Sequence, residues 1–334
     1  MWYRQGQQEQ EAGDMDAAIE SFRKATTNDL DNQDYRLALG RALASQGSEK
    51  EALGTLLQLR QSAPENGELN LEVARLTADT GNIREATRFY HSALYGVWPI
   101  EQADKRRREV RAELIEYLLD NGDTTTALSE LLAFTPDIRD TAKERTQAGQ
   151  WFLKVGDASR ALEQFTRALQ LEPNNLAALD GAGEAEFRLG SYSKAVAHLE
   201  AALREGEPSE SRDHLLAVSR GVLADDPLDA TISNSQRVSR LRRLLETWRS
   251  SIHECIQTTG EGSAGSVMMG LEMEAEVLEP GLTVRALERD TELVRRGLEL
   301  FSRMERAATQ SCGPAGDAGE VLELVIREHG LENE

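Results

Sequence analysis

The chain has 334 residues, with 38 Lys and Arg against 58 Asp and Glu, and a formal net charge of −20 at pH 7. A surface of that sign is repelled by a phosphate backbone, which argues against nucleic acid as a partner. No segment approaches the roughly 18 consecutive apolar residues of a membrane span, no signal-peptide core is present and long alternating β-branched runs are missing, so an all-α chain with no membrane span is expected.

The first helix opens at the start of the sequence. Trp2 and Gly6 already stand in the register that later elements repeat, with no residue ahead to cap the first turn. Helix starts are rarely left uncapped. Either something lies upstream, such as a membrane anchor, a signal or a further domain, or the first turn frays. From there one pattern recurs: Ala18…Phe22…Ala25, Ala52…Leu56…Leu59, Ala86…Tyr90…Ala93, Ala127…Leu131…Phe134, Ala161…Phe165…Ala168 and Ala195…Leu199…Ala202. Successive first alanines are 34, 34, 41, 34 and 34 residues apart. A fixed period of this size marks one two-helix unit stacked many times, an architecture that presents surfaces rather than a catalytic pocket.

Within each unit a glycine and a capping residue separate the helices: Gly13-Asp14, Gly47-Ser48, Gly81-Asn82, Gly122-Asp123, Gly156-Asp157 and Gly190-Ser191. Glycine closes the first helix in the left-handed conformation, and Asp, Asn or Ser caps the second. The alanine allows close helix approach, and the large residue four positions on fills the space beside it. Leu39-Gly40, Val73-Ala74, Ala148-Gly149 and Ala182-Gly183 give a second small site on the first helix, and Pro64, Pro99, Pro136 and Pro173 close the units.

This register resembles the tetratricopeptide repeat (TPR) family over about residues 1–205, best at Gln150–Pro173, where Phe152, Ala161, Phe165, Ala168 and Pro173 all match. The resemblance implies a superhelical solenoid of about six helix-turn-helix repeats. The 41-residue step departs from it, inserting about two turns around Gly96–Arg108, and Ile115 stands where the family prefers a small residue. The basic run Lys105-Arg106-Arg107-Arg108 reads as a solvated face of a lengthened helix, interleaved with Glu101, Asp104 and Glu109, with docking of an acidic partner or a phosphate as the alternative.

After Ala202 the period is lost. Ser211–Leu223 reads as an amphipathic helix that caps the last repeat, and Asp225-Asp226-Pro227 ends it, so residues 206–227 are a capping helix and linker. Residues 228–334 form a C-terminal helical cap or bundle. Its expected pieces are a helix over about Ser235–Gln257, a flexible Gly/Ser-rich loop over Gly260–Gly270, a helical segment over about Leu282–Thr309 and a last helix over about Ala318–His329.

Little in the sequence carries chemistry. A disulfide between Cys255 and Cys312 would close a loop of about 57 residues and stabilise by about 4 kcal/mol on the chain-entropy model; two independent thiols are the alternative. His91, His198, His214, His253 and His329 are scattered without metal-ligand spacing, and His253-Glu254-Cys255 points in three directions on one helix, so no metal is expected. Gly181-Ala182-Gly183 follows no strand and lacks the third glycine of a dinucleotide fingerprint; packing accounts for it. No nucleophile, phosphate-binding or kinase motif is present, and no cofactor or enzymatic activity is expected.

The resemblance implies recognition along a concave groove lined by the first helix of each repeat. Carried onto this sequence, the groove positions are Arg4 and Gln7, Leu37 and Arg41, Leu71 and Arg75, Ala112 and Glu116, Thr146 and Gln150, and Asp180 and Glu184. The arginines of the earlier repeats suit carboxylates, which they can bind bidentately. The Lys and Asn clamp of chaperone-binding members is not assembled. The leading reading is a non-enzymatic bacterial TPR adaptor or scaffold that holds a protein or peptide partner in this groove, its C-terminal helices a cap or second contact. The alternatives are the substrate-recruiting part of an enzyme or regulator whose activity lies in residues 228–334, and a structural homo-oligomer. An upstream anchor would place the protein at the cell envelope; otherwise it would be cytoplasmic.

Overall fold

A computed structural model describes residues 1–30, 32–259, 263–313 and 316–331. Among these the fold is all-α. An isolated bridge between Asn66 and Val97 and two single turns of 3-10 helix are the other regular features. No described helix is long and apolar enough to cross a membrane. The helices gather into two compact units, Met1–Asp140 with Lys154–Asp157, and Thr141–Leu153 with Ala158–Glu334. The division therefore falls inside the stretch read as one array rather than at its end.

Unit 1 is four helix hairpins: α1 (Trp2–Glu11) with α2 (Met15–Asn28), α3 (Gln33–Ser45) with α4 (Glu49–Ser62), α5 (Gly67–Asp79) with α6 (Ile83–Leu94), and α7 (Ala103–Asp120) with α8 (Thr124–Phe134). Gly13, Gly47, Gly81 and Gly122 turn each hairpin at φ between 75° and 85°, a region closed to most side chains. The next residue folds its amide back onto the first helix: Asp14, Ser48 and Asp123 each donate N–H at 2.9 Å, to Glu9, Leu43 and Leu118 carbonyls. Asp14, Asn82 and Asp123 also cap the second helix, accepting from the amides of Ala17, Glu85 and Thr126 at 3.1–3.2 Å. Ser48 occupies the same place without a side-chain bond, so the cap expected of serine is not made there.

Hairpin packing follows a constant offset. The small residue on the first helix faces the large residue 16 positions later on the second. A Cβ added at Gly6 would lie 2.7 Å from Phe22, and one at Gly40 would lie 2.3 Å from Leu56. In the next two hairpins Ala74 and Ile115 take the small position against Tyr90 and Leu131, all four buried. Phe22 and Leu56 are fully buried, each stabilising by about 1.5–3 kcal/mol.

The 41-residue step is divided between two features rather than added as two helical turns. α7 is lengthened to 18 residues, and an irregular connection precedes it. The Val97 amide donates to the Glu65 carbonyl at 2.6 Å and the Gly67 amide to the Val97 carbonyl at 3.0 Å. Trp98 is buried over Gly67, where a Cβ would come within 2.4 Å of the indole, and its Nε1–H donates to the Ala93 carbonyl at 2.8 Å.

Unit 2 opens with two hairpins, α9 (Ala142–Lys154) with α10 (Ala158–Leu171) and α11 (Leu176–Arg188) with α12 (Tyr192–Glu205). Phe165 of α10 fills the space left by two glycines; a Cβ at Gly149 or Gly181 would lie 2.6 or 2.2 Å from its ring. α13 (Glu210–Asp225) follows, and the chain then leaves the period for α14 (Asn234–Thr259), α15 (Ser263–Leu278), α16 (Val284–Arg289), α17 (Leu293–Cys312) and α18 (Asp317–Glu328). Their core centres on Leu241, Trp248, Met268, Leu298 and Phe301, all 0–1% exposed. α18 returns onto α13, Val321 filling the gap at Gly221.

Two expectations are corrected here. Residues 260–262 of the expected loop lie outside the described residues, but residues 263–270 begin α15. Met268, Leu271 and Ala275 are buried one helical turn apart, and that burial outweighs the helix-weakening glycines. The segment over Leu282–Thr309 is two helices. Asp290 breaks it by accepting the Glu292 amide at 3.0 Å and pairing with Arg296.

Candidate interaction surface

The sequence-derived groove positions fall into two sets. Leu37 and Leu71 are buried core residues of unit 1, and Thr146 is buried in unit 2. Arg4, Gln7, Arg75, Glu116 and Gln150 are exposed, while Arg41, Ala112, Asp180 and Glu184 are half-buried.

In unit 1 the arginines are joined into a ladder running from one first helix to the next. Arg41 of α3 donates from Nε to Glu72 at 2.9 Å and from a terminal nitrogen to Glu68 at 2.7 Å, both on α5. Arg75 of α5 grips Glu113 of α7 with two bonds of 2.8 and 2.7 Å, and Glu113 also accepts from the Tyr90 hydroxyl at 2.9 Å. Arg75 also lies 3.9 Å from Glu72, closing the line. The hydrogen bonds it donates to Glu113 hold the Arg75 guanidinium further into its protonated range. Burial, then the Glu113 charge, pushes the Tyr90 hydroxyl well above its usual range, so it remains a donor.

The expectation of arginines presented to a partner thus meets guanidinium groups already held by the chain's own carboxylates. A signal for this was in the sequence. Arg41 and Glu72 are 31 residues apart, and Arg75 and Glu113 are 38 apart. Each spacing is three short of the local repeat step, so the seven extra residues leave the pairing intact.

In unit 2 the polarity is reversed. Asp180 of α11 accepts two bonds, 2.6 and 2.8 Å, from buried Arg212 of α13. Glu184 pairs with Arg188 at 2.5 Å. The C-terminal helices carry a cavity of about 860 Å³ bordered by Tyr192, His214, Glu305, Asp317, Glu320 and Glu328. His214 lies between two carboxylates there, 2.9 Å from Asp317 and 3.0 Å from Glu320. Burial, then the neighbouring Asp226, raises the Glu328 carboxyl above its ordinary range.

The remaining candidates are placed as follows. A disulfide joins Cys255, near the end of α14, to Cys312, the last residue of α17, with Cα atoms 5.8 Å apart. His253 lies against Gln257 at 3.0 Å, on a different bearing from Cys255. His91 faces Glu130 at 2.8 Å and His198 faces buried Glu186 at 2.7 Å. His329 lies 3.1 Å from Asp226, and with Glu328 these offer three ligand atoms within 4.8 Å of one another, a spacing that could hold a metal ion. Sequence spacing could not reveal that group, because Asp226 stands 103 residues before His329.

A tetratricopeptide repeat model matches residues 3–67 and 146–210. Among solved structures, the chain is similar to the C-terminal part of a TPR repeat-containing protein from Cytophaga hutchinsonii, at 12% identity over 73% of this chain and 94% of that one, with a TM-score of 0.51. It is also similar to YrrB, described as a TPR protein with an unusual peptide-binding site (18% identity, 58% of this chain and 96% of that one, TM-score 0.47). A third is a tetratricopeptide repeat protein from Parabacteroides merdae (18% identity, 72% and 90%, TM-score 0.45). At these identities the likeness is one of fold. No curated protein matches the chain.

Proposed function

Because this chain is a tetratricopeptide repeat protein, we propose that it is a non-enzymatic interaction scaffold that holds a protein or peptide segment against the first helices of unit 1. The observation that carries the reading is the solvent-facing ladder Arg41–Glu72–Arg75–Glu113, whose side chains are between 19% and 47% exposed. Exposed ion pairs of this kind contribute only about 0–1 kcal/mol each. A partner's own charges can therefore exchange with them at little cost, and the alternation of sign favours a segment of alternating charge. Arg4 and Gln7 of α1 extend the same face.

The test is Arg41→Gln with Arg75→Gln. Neutral replacements are chosen because Arg75→Glu would place a third carboxylate beside Glu72 and Glu113. Anisotropy on a panel of fluorescent peptides of alternating charge should show weaker binding for the variant, with its circular dichroism unchanged. Equal binding by both proteins would remove the ladder from the interface.

A specific observation favours one second reading, a homo-oligomer. Val267, Met273 and Val277 of α15 are 60–83% exposed, and Met273 and Val277 border an open groove of about 810 Å³. Apolar strips of this kind mark association surfaces. Light scattering separates the two readings: a monomer at micromolar concentration leaves the scaffold reading alone.

A further inference from the structure

We propose that the α6–α7 connection, together with the first turns of α7, is a separate docking surface for an acidic polypeptide segment carrying apolar side chains. Three large apolar residues stand out within six positions: Tyr95 is 79% exposed, Val97 66% and Ile100 95%. Exposed apolar residues scattered singly are ordinary, but three grouped on one short connection form a patch.

The connection is not a loose loop. Its backbone is pinned to the α4–α5 turn by the two bonds of the Asn66–Val97 bridge, and Trp98 is seated over Gly67. Gly96 comes so close that a Cβ there would lie 2.7 Å from the Gly67 Cα. The side chains are thus held outward by a backbone already ordered, so a partner would not bear that ordering cost.

Charge selects the occupant. Between residues 100 and 112 there are five basic and three acidic side chains, a local net of +2 in a chain whose total is −20. Among the described residues, the ion pairs of Lys105, Arg106 and Arg107 lie within their own helix, with Asp104 and Glu109 at 3.1–4.0 Å, and all three are well exposed. Such pairs are readily exchanged for a partner's carboxylates. The cations also sit at the positive end of the helix macrodipole, where they oppose helix formation. Gln102 makes no side-chain cap bond to the first amides of α7. Incoming carboxylates would answer both the charge and the uncapped amides. A flat anionic bilayer would meet the field of the whole acidic chain, whereas a short acidic segment senses charge only within a screening length of about 8 Å.

The probe is a fluorescein-labelled peptide of about twelve residues, half Asp and Glu, with one Trp and two Leu; a second peptide replaces every acid with Lys. Anisotropy should show binding of the acidic peptide alone, weakening with added salt. Tyr95→Ser with Ile100→Ser, and separately Arg106→Gln with Arg107→Gln, should each weaken it about tenfold or more. All four positions are exposed, so circular dichroism and melting temperature should not move. Arg41→Gln with Arg75→Gln should leave this binding intact, which keeps this surface distinct from the ladder. Absence of binding, equal binding of the two peptides, no effect of either double variant, or binding instead to phosphatidylglycerol vesicles would each overturn the proposal.

Discussion

The hairpins of unit 1 and the C-terminal helices of unit 2 bury their apolar residues by different rules. In the hairpins the partner of a residue is set by a number: 16 positions from small to large within a hairpin, and one step less three between first helices. In α14–α18 no such number exists. Trp248 and Phe301 share a core although they are 53 positions apart in a region without a period. Periodic packing is local, so each hairpin brings its own partners. The C-terminal core requires distant segments to meet, and the bridge between Cys255 and Cys312 spans it.

Removing that bridge should give the largest effect. A closed loop of 57 residues corresponds to about 4 kcal/mol on the chain-entropy model. Cys255→Ala with Cys312→Ala, or reduction, should bring the amides of α14 and α17 to faster hydrogen exchange while α1–α8 keep theirs. Two free thiols in the untreated, denatured protein would break this side of the comparison.

Glycine substitutions sharpen the comparison next. Gly149→Leu drives a side chain into the Phe165 ring and should cost about 1–3 kcal/mol, measured by denaturant unfolding. Gly54, inside α4, and Gly270, inside α15, have nothing within 4 Å of an added Cβ. Gly54→Ala and Gly270→Ala should each raise stability by about 0.5–1 kcal/mol. If Gly149→Leu proved as mild as the alanine variants, the offset of 16 would not be the rule that packs the hairpins.

The same contrast explains what could be read from the sequence. Gly40 and Gly149 were legible as small sites, and Leu56 and Phe165 as large ones, because each recurs in register; that the small site faces the large one came with the structure. The hairpin glycines were legible because the left-handed turn leaves few alternatives. α15 was misread because its glycines and serines signal a loop, while the stripe Met268, Leu271, Ala275 that makes it a helix acquires meaning only once α14 and α17 are beside it. At the interaction surface, Arg41 and Arg75 were located, but their partners were not. Glu72 and Glu113 stand one repeat step less three residues further along, a spacing that becomes a pairing rule once the neighbouring first helices are seen side by side. Tyr95, Val97 and Ile100 gave no signal, because apolar residues in a sequence are expected to be inside. What turns them out is Trp98 taking the buried place.

The smallest expected effect concerns His198 of α12 and Glu186 of α11, a pair inside the periodic part of unit 2. Glu186 is 3% exposed, and His198 Nδ1 lies 2.7 Å from its carboxylate. That hydrogen bond, partly opposed by burial, raises the imidazole above its ordinary value. A raised folded-state value means that the protonated pair contributes fully below about pH 6.5, the ordinary imidazole value, and that its contribution is lost as pH rises through the folded-state value. Melting temperature should therefore fall between pH 6 and pH 8.5, by an amount equivalent to about 0.5–1 kcal/mol for a partly exposed pair. His91, His214 and His329 also face carboxylates, so the informative quantity is the difference from His198→Gln. If the pair acts as its geometry indicates, the variant's melting curve is flatter over this range. Parallel curves would show that Glu186 is held by its buried surroundings alone, and that helix pairing here depends on shape rather than on charge.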